Sequence, residues 1–218
     1  MKTNVAVIGG GNSSEYVISV KSAAMIAETL DKEKYNVFIV SMHKNDWHVP
    51  GDEYGNAPVS KDDFSFMHKG RKINFGFAYI TIHGTPGEDG ILPAYFELLG
   101  IPHSTCDVLI SALTFNKYFC KSVIKYHGIL TPAEVMVTRK NITDAAHFVK
   151  KLGLPVFVKP NNGGSSFGVT KVSREEDIVP AIRKAFEEDN EHDVIIEKFI
   201  AGTEVTCGMV VTGDRQIV

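Results

Sequence analysis

At 218 residues the chain fits one large domain or two small ones. Its 23 basic and 26 acidic residues leave a net charge of −3, with no extended basic run of the kind that binds a nucleic-acid backbone. Cys106, Cys120 and Cys207 are odd in number and far apart, which disfavours a disulfide framework or a zinc ribbon and suits a reducing cytoplasm. No apolar run nears the roughly 18 residues that span a bilayer, and residues 5–8 are too few for the core of a signal peptide.

Short apolar runs alternating with helix-period stretches predict an α/β chain. Residues 5–8 predict a first strand, closed by the turn at Gly9, Gly10 and Gly11. The helix after it is expected to bury Val17, Val20, Ala24 and Ala27, and residues 37–40 predict a second strand. Residues 43–74 are polar and irregular around Trp47 and read as a hairpin excursion of undefined placement. Residues 77–82 predict another strand, then a helix with Ile91, Tyr95, Leu98 and Leu99 on its buried face. Up to about residue 104 the pattern predicts a small, mostly parallel sheet with helices around it.

From residue 105 the pattern changes. Two helices are expected at about 107–115 and 116–127, the second buried through Phe119, Val123 and Ile124 and stopped by Gly128. Residues 134–137 predict a strand. Ala145, Phe148, Val149 and Leu152 form the stripe of a helix capped by Thr143. Residues 156–159 predict a strand that runs into a Gly/Ser-rich loop, 161–168. Ser173-Arg174-Glu175-Glu176 reads as a capping box for a helix through Ile178, Ile182, Ala185 and Phe186, which Pro180 either kinks or begins. Residues 194–197 and 204–211 predict strands, Gly213-Asp214 a turn, and residues 216–218 a returning strand. An open strand is a rare end for a domain, so a C-terminal truncation is expected.

Four segments carry possible chemistry. Gly9-Gly10-Gly11 falls short of the dinucleotide fingerprint: Ser14 stands at the sixth place and no acid ends the second strand. A tight strand-to-helix turn is therefore favoured there. Glu15 either complements the helix dipole or aims a carboxylate at a cationic group at the sheet's C-terminal edge. His83-Gly84-Thr85-Pro86-Gly87-Glu88-Asp89-Gly90 lets backbone approach a ligand through its glycines, and places Glu88 and Asp89 at a helix start. His83 is either a structural hydrogen-bonder or a ligand group, and sharing a sheet edge with Glu15 narrows the gap between the two.

Lys159-Pro160-Asn161-Asn162-Gly163-Gly164-Ser165-Ser166-Phe167-Gly168 lies between two predicted strands. Its exposed N–H groups and hydroxyls suit phosphates, and its glycines would equally serve a flexible tip. In a Walker A motif the lysine follows the glycines, so this is a different loop. Glu197 and Glu204 lie on strand, bend and strand, where they either read adenine and ribose or stand as solvated charges on a strand edge. Cys120 reads as helical and Cys207 as strand packing.

In this order the segments resemble the D-alanine–D-alanine ligase family of the ATP-grasp superfamily, from residue 4 to the last residue. Gly10-Gly11 through Ser14-Glu15, with Val17 and Ser19, resemble the family's opening signature. The segment from His83 to Gly90 resembles its H-G-x-x-G-E-D-G motif, and Lys159-Pro160 with residues 164–168 its K-P-x-x-x-G-S-S-x-G loop. Glu197-Lys198 and Glu204-Val205-Thr206 resemble its nucleotide segment. The departures are Pro93 for a usual Gln, His103-Ser104-Thr105-Cys106 for Y-T-G-S, and Asn116 before Lys117 where Asp is common.

The resemblance implies a substrate-binding pre-ATP-grasp domain over 1–104, a central ATP-grasp subdomain over 105–201, and the start of a truncated C-terminal subdomain over 202–218. It implies ATP-dependent joining of two D-alanines through an acylphosphate, for peptidoglycan synthesis, by a cytoplasmic homodimer with no nucleic-acid or membrane partner. Mg²⁺ or Mn²⁺ is expected on ligands in the family's last third, which these residues do not include. No metal ligand is assigned within the chain, which alone is expected to be inactive or nearly so. By resemblance Glu15 holds the ammonium of the first D-alanine and His83 helps orient it. Lys117 and Lys159 neutralise phosphate oxygens, and the loop of Ser165, Ser166, Phe167 and Gly168 closes over them, Ser165 also linking to the second substrate's carboxylate. Glu197 accepts from the adenine amine, backbone at Lys198 and Ile200 lies on the ring edge, Phe157 and Phe199 wall the base, and Glu204 binds ribose. A D-alanine–D-lactate ligase would share every motif here. A non-catalytic nucleotide and amino-acid binding module is the alternative if 218 residues is the natural length.

Overall fold

The first strand, β1 (Thr3–Gly10), is buried over its last six residues, which is why it reads as an unbroken apolar run. In the computed structural model, which describes residues 2–188, 193–208, 210–212 and 215–217, β1 is central to a seven-stranded sheet. It pairs in parallel with β2 (Tyr35–His43) and, on its other side, with a strand that begins at Phe77. Four short strands extend the sheet beyond β2 as an antiparallel meander: β3 (Asp46–Val49), β4 (Ala57–Ser60), β5 (Ser65–His68) and β6 (Arg71–Asn74). With β7 (Phe77–Ile80) the order is β6-β5-β4-β3-β2-β1-β7. The unplaced excursion is thus an extension of the sheet, and it is rich in core. Phe64, Phe66 and Phe75 are buried in one cluster with Ile8, Met42 and Phe96.

The helix after β1, α1 (Tyr16–Thr29), lies where expected but turns a different face inward. It buries Ser19, Ala23 and Ala27, while Val17, Val20 and Ala24 are exposed. The cause is close approach to β1: a Cβ added at Gly9 would stand 2.6 Å from the Ala23 Cβ and 3.2 Å from the Ser19 carbonyl oxygen. Only small residues fit such a seam. Ser19 is satisfied within it, accepting from the Gly10 N–H at 2.9 Å and donating to the Thr81 carbonyl at 3.0 Å. Gly10 adopts φ +114°, and a Cβ there would lie 2.2 Å from the Met42 carbonyl oxygen, so this turn requires glycine.

α2 (Ile91–Leu99) keeps part of its expected face, Tyr95 and Leu99 packing against the core, but is turned from the rest. Leu92, Pro93 and Phe96 are buried, whereas Ile91 and Leu98 are exposed. The phase is set at the start, where Gly90 is left-handed and the Leu92 N–H donates to the Pro86 carbonyl at 3.0 Å. Phe96 then packs edge-on against Phe64.

The second unit is a four-stranded antiparallel sheet, β10-β9-β11-β8, made of β8 (Glu134–Val137), β9 (Val156–Pro160), β10 (Thr170–Val172) and β11 (Val194–Lys198). α5 (Ala145–Leu152) and α6 (Ile178–Glu188) cover it, and their stripes fill a core with Val137, Val158 and Ile196. Thr143 does not cap α5; it lies within a single 3₁₀ turn, Ile142–Asp144. The capping box before α6 is not formed either. Arg174 precedes another 3₁₀ turn and pairs with Asp177 at 3.0 Å. Pro180 falls in the first turn of α6, where its missing N–H is tolerated.

Between the units run α3 (Val108–Phe115), capped by Asp107, and α4 (Lys117–Tyr126), capped by Asn116. α4 buries no residue: Phe119 and Val123 are exposed and Ile124 is half-buried. The expected apolar face is replaced by a lysine stripe, Lys117, Lys121 and Lys125, spaced to share one side of the helix. Gly128, at φ +79°, follows the C-cap residue His127 as expected. Residues 203–208 form no strand, contrary to the alternation that predicts one, and Cys207 is exposed. β12 (Val210–Thr212) and β13 (Arg215–Ile217) pair antiparallel, while Met209, the expected turn at Gly213-Asp214 and Val218 lie outside the described residues. The three cysteines are free, and no helix of the described residues is long and apolar enough to cross a membrane.

Candidate active site

The turn after β1 brings Glu15 to the start of α1, at the C-terminal edge of the parallel strands. Its side chain is buried, with 5 % of the residue exposed, and it accepts a hydrogen bond from the Ser165 hydroxyl. Its N–H donates to Ser13 Oγ at 3.2 Å, and the Ser13 hydroxyl donates to the His83 carbonyl at 2.7 Å. Glu15 and the His83 segment are therefore one hydrogen-bonded edge. The His83 imidazole does not line either of the clefts described below. Within the same motif Glu88 accepts from the Gly84 N–H at 2.7 Å and Asp89 from the Ile91 N–H at 3.1 Å, so both acids hold the turn and the start of α2.

The loop between β9 and β10 is the wall between two clefts. On one side is a cavity of about 600 Å³, lined by Ser13, Glu15, Gly84, Asp89 and Glu188 among others. On the other is one of about 340 Å³, lined by Lys117, Phe157, Lys159, Ser165, Ser166, Phe167 and Glu204. Asn162, Gly163 and Gly164 face both. A Cβ at Gly164 would stand 3.0 Å from Glu15 Oε2, so the glycine permits the approach of loop to carboxylate. Ser165 and Ser166 both adopt positive φ, +46° and +60°. Such strain costs about 1–3 kcal/mol per residue and is typical of ligand clamps. A second bond joins the units beside the first cleft, from the Ser14 hydroxyl to Glu188 at 2.6 Å.

Lys117 opens α4 and reaches into this loop. Its ammonium donates to the Gly163 carbonyl at 2.7 Å and the Asn161 carbonyl at 3.3 Å. Asn161 is itself buried; its carboxamide oxygen accepts from the Tyr118 N–H at 2.9 Å, and its own N–H donates to the Asp193 carbonyl at 2.9 Å.

Beneath the second cleft lies an ionic network. Glu197, with 5 % of the residue exposed, pairs with Lys159 through one oxygen and with Lys121 through the other. Lys121 also contacts Glu134, which pairs with Lys125 at 2.8 Å. Burial, with repulsion from Lys121 and Lys117, holds the Lys159 amine down to about 8, against a smaller pull from Glu134 and Glu204. Burial likewise lowers Lys121, partly offset by Glu134. The Lys198 N–H donates to the Ala133 carbonyl at 2.9 Å, and Ile200 is exposed. Phe157 and Phe199 lie 5.8 Å apart between ring centroids, and Lys171 sits 3.8 Å over the Phe199 ring.

The sequence assigns no role of their own to Asn161, within the Gly/Ser loop, to Glu134, at the start of a predicted strand, or to Lys121. A signal existed for two of them: lysines at 117, 121 and 125 share a helix face, and Glu134 is the one charged residue of an otherwise apolar strand. Among the described residues no group of three or more His, Cys, Asp or Glu is arranged to hold a metal ion. The positive groups facing the second cleft are lysines.

A mixed sheet in which β2, β1 and β7 run parallel, followed by an antiparallel α+β unit whose Lys-headed Gly/Ser loop reaches back to it, is the ATP-grasp arrangement. Residues 4–106 match the family description D-ala D-ala ligase N-terminus, and residues 123–218 match D-ala D-ala ligase C-terminus. The D-alanine--D-alanine ligase of Phocaeicola vulgatus is 53 % identical over all of this chain and 67 % of its own length. The crystal structure of VanG D-Ala:D-Ser ligase from Enterococcus faecalis aligns with a TM-score of 0.84 at 33 % identity, over 100 % of this chain and 68 % of that one. A D-alanine--D-alanine ligase from Bacillus anthracis complexed with ATP aligns at 0.69 and 30 % identity, over 92 % of this chain and 60 % of that one. The chain belongs to the D-alanine–D-alanine ligase family. It spans about two thirds of the length of the relatives it matches.

Proposed function

We propose that this chain supplies the amino-acid and nucleotide sites of an ATP-dependent ligase that joins two D-alanines for peptidoglycan synthesis. The observation that carries this is the shared wall: one Gly/Ser loop bounds both clefts and its Ser165 hydroxyl reaches Glu15. A carboxylate is a poor acyl donor at neutral pH. Its attack on the γ-phosphate of ATP releases ADP and makes an acylphosphate; the amine of a second D-alanine then attacks the acyl carbon, gives up a proton and displaces phosphate.

Each group then has work to do. Glu15 takes the ammonium of the first D-alanine, and His83 helps orient that substrate indirectly, its carbonyl holding the Ser13 hydroxyl that accepts from the Glu15 N–H. Lys117 and Lys159 offset charge on phosphate oxygens, the leading electrostatic contribution in phosphoryl transfer. The loop of Ser165, Ser166, Phe167 and Gly168 excludes water that would hydrolyse the acylphosphate, and Ser165 reaches the second substrate's carboxylate. Glu197 accepts from the adenine amine with backbone at Lys198 and Ile200, and Glu204 takes the ribose hydroxyls. Mg²⁺ or Mn²⁺ accompanies the nucleotide in this reading, and its ligands are not assigned to the described residues.

The test is D-alanine-dependent ADP formation by the complete protein, with an L-alanine control. Glu15→Gln is expected to raise the KM for D-alanine by roughly ten- to a hundredfold, the worth of one hydrogen bond to a charged group, and to leave the KM for ATP near wild type. Unchanged D-alanine kinetics would remove Glu15 from this role.

We place one domain boundary near residue 104, because separate cores lie on either side of α3 and α4, and another near 201, just past the end of β11. We also place the protein in the cytoplasm as a homodimer. Val17, Ile18, Val20 and Met25 of α1 are exposed together, and such apolar patches mark association surfaces. Light scattering after gel filtration is expected to give twice the monomer mass, and Val17→Asp/Met25→Asp the monomer mass.

A further inference from the structure

Glu134 and Glu197 are direct cross-strand partners on β8 and β11, with side chains 3 % and 7 % exposed. Like charges placed opposite one another repel, and burial removes the water that would screen them. The structure resolves this with one side chain. The Lys121 ammonium lies between the two and contacts an oxygen of each. The other oxygen of Glu134 is taken by Lys125, and that of Glu197 by Lys159.

The two lysines on Glu197 are not equivalent. Lys159 lies on the strand that leads into the phosphate loop and lines the second cleft, where phosphates would draw its ammonium. Lys121 does not line that cleft. It is held by α4, whose start is fixed by the Asn116 cap and by Asn161.

We propose that Lys121 is a positioning residue for base recognition, gripping one oxygen of Glu197 so that the carboxylate keeps a fixed orientation toward the exocyclic amine of adenine. This rests on the reading of Glu197 as the base acceptor. An ionised carboxylate accepts at about four lone-pair sites, so two lysines leave room for the amine. A fixed carboxylate also rejects a base with a carbonyl oxygen at that position, because two acceptors then face each other. Glu134 is the counter-grip: its charge keeps Lys121 from being drawn wholly onto Glu197.

The experiment compares Kd for ATP and ITP, each with Mg²⁺, by calorimetry, since inosine carries a carbonyl where adenine carries the amine. Lys121→Met leaves two buried carboxylates face to face and risks misfolding. The informative variant is therefore Lys121→Met/Glu134→Gln, which removes the lysine together with the charge it neutralises, its fold checked by thermal melting. The ATP-over-ITP preference is expected to fall about tenfold or more, the worth of one hydrogen bond to a charged group, mostly through weaker ATP binding. Lys121→Arg is expected to keep most of the preference. A purely structural role would weaken both nucleotides alike and leave the ratio unchanged. Glu197→Gln, whose amide offers both a donor and an acceptor, separates the two claims. If Glu197→Gln loses the preference while Lys121→Met/Glu134→Gln keeps the wild-type ratio, the role of Lys121 is overturned and that of Glu197 stands. If Glu197→Gln discriminates like wild type, the base-acceptor reading fails and the inference with it.

Discussion

Lys159→Met is expected to weaken ATP binding by roughly ten- to a hundredfold at pH 7, the range for losing hydrogen bonds from a charged group. Wild-type affinity is expected to fall as the pH rises through about 8, where burial and the neighbouring lysines place the amine. Below that pH the ammonium is intact and faces the phosphates. Above it the free protein carries a neutral amine, and binding must first recover the proton. The affinity then drops up to tenfold per pH unit, until the amine's value in the complex is reached.

Stability moves the other way. The unfolded chain holds this proton up to about 10.5 and the folded chain only to about 8. Between those values the unfolded state binds more protons, so rising pH favours the fold. Below about 8 the folded protein bears the full cost of a partly buried ammonium. Calorimetric titration of ATP from pH 7 to 9.5 reads the first effect and thermal melts read the second. The variant should be flat in the binding profile across that range, and a flat wild-type profile would show that Lys159 does not meet the phosphates.

Phe64→Ala is expected to lower stability by about 3–5 kcal/mol. Phe64 is fully buried and packs against Trp47, Phe75, Tyr95 and Phe96, joining the meander to α2. It also holds φ +50°, a left-handed conformation that costs a bulky residue about 1–2 kcal/mol. Packing must exceed that strain for the residue to stay there. Alanine loses the packing and keeps most of the strain. For a chain of this length each kcal/mol shifts Tm by about 2–4 °C, so a fall of about 6–20 °C is the expected melt. Loss of less than about 1 kcal/mol would mean that the aromatic cluster repacks around the gap.

These two residues differ in how plainly the sequence displays them. Lys159 sits in a ten-residue motif whose chemistry is local: a lysine, glycines and serines between two strands. Phe64 sits among short polar segments where hydrophobic period is not measurable, because four-residue strands contain only two inward positions each. Unlike the meander β3–β6, the strands β1, β2 and β7 of the first sheet and β8, β9 and β11 of the second were legible from apolar runs. Helix faces were less so. In α1 the inward face is Ser19, Ala23 and Ala27, chosen by how closely the helix must approach Gly9 rather than by hydrophobicity. In α4 the inward face is charged, and the apolar residues that a periodicity search selects point elsewhere. The lysine spacing on α4 is visible in the sequence, but its partners are not: Glu134 and Glu197 meet Lys121 only because β8 and β11 pair, between residues far apart in the chain.

Asn161 sets how the Gly/Ser loop can move. With its side chain, N–H and carbonyl all engaged by α4 and the residue before β11, the first residue of the loop is clamped like the root of a cantilever. Any swing of the tip over a ligand must pivot beyond that root, at Gly163, Gly164 and Gly168. A tilt of α4 would carry the root with it, so helix and loop travel as one part while the serines sweep a short arc about a hinge of glycines.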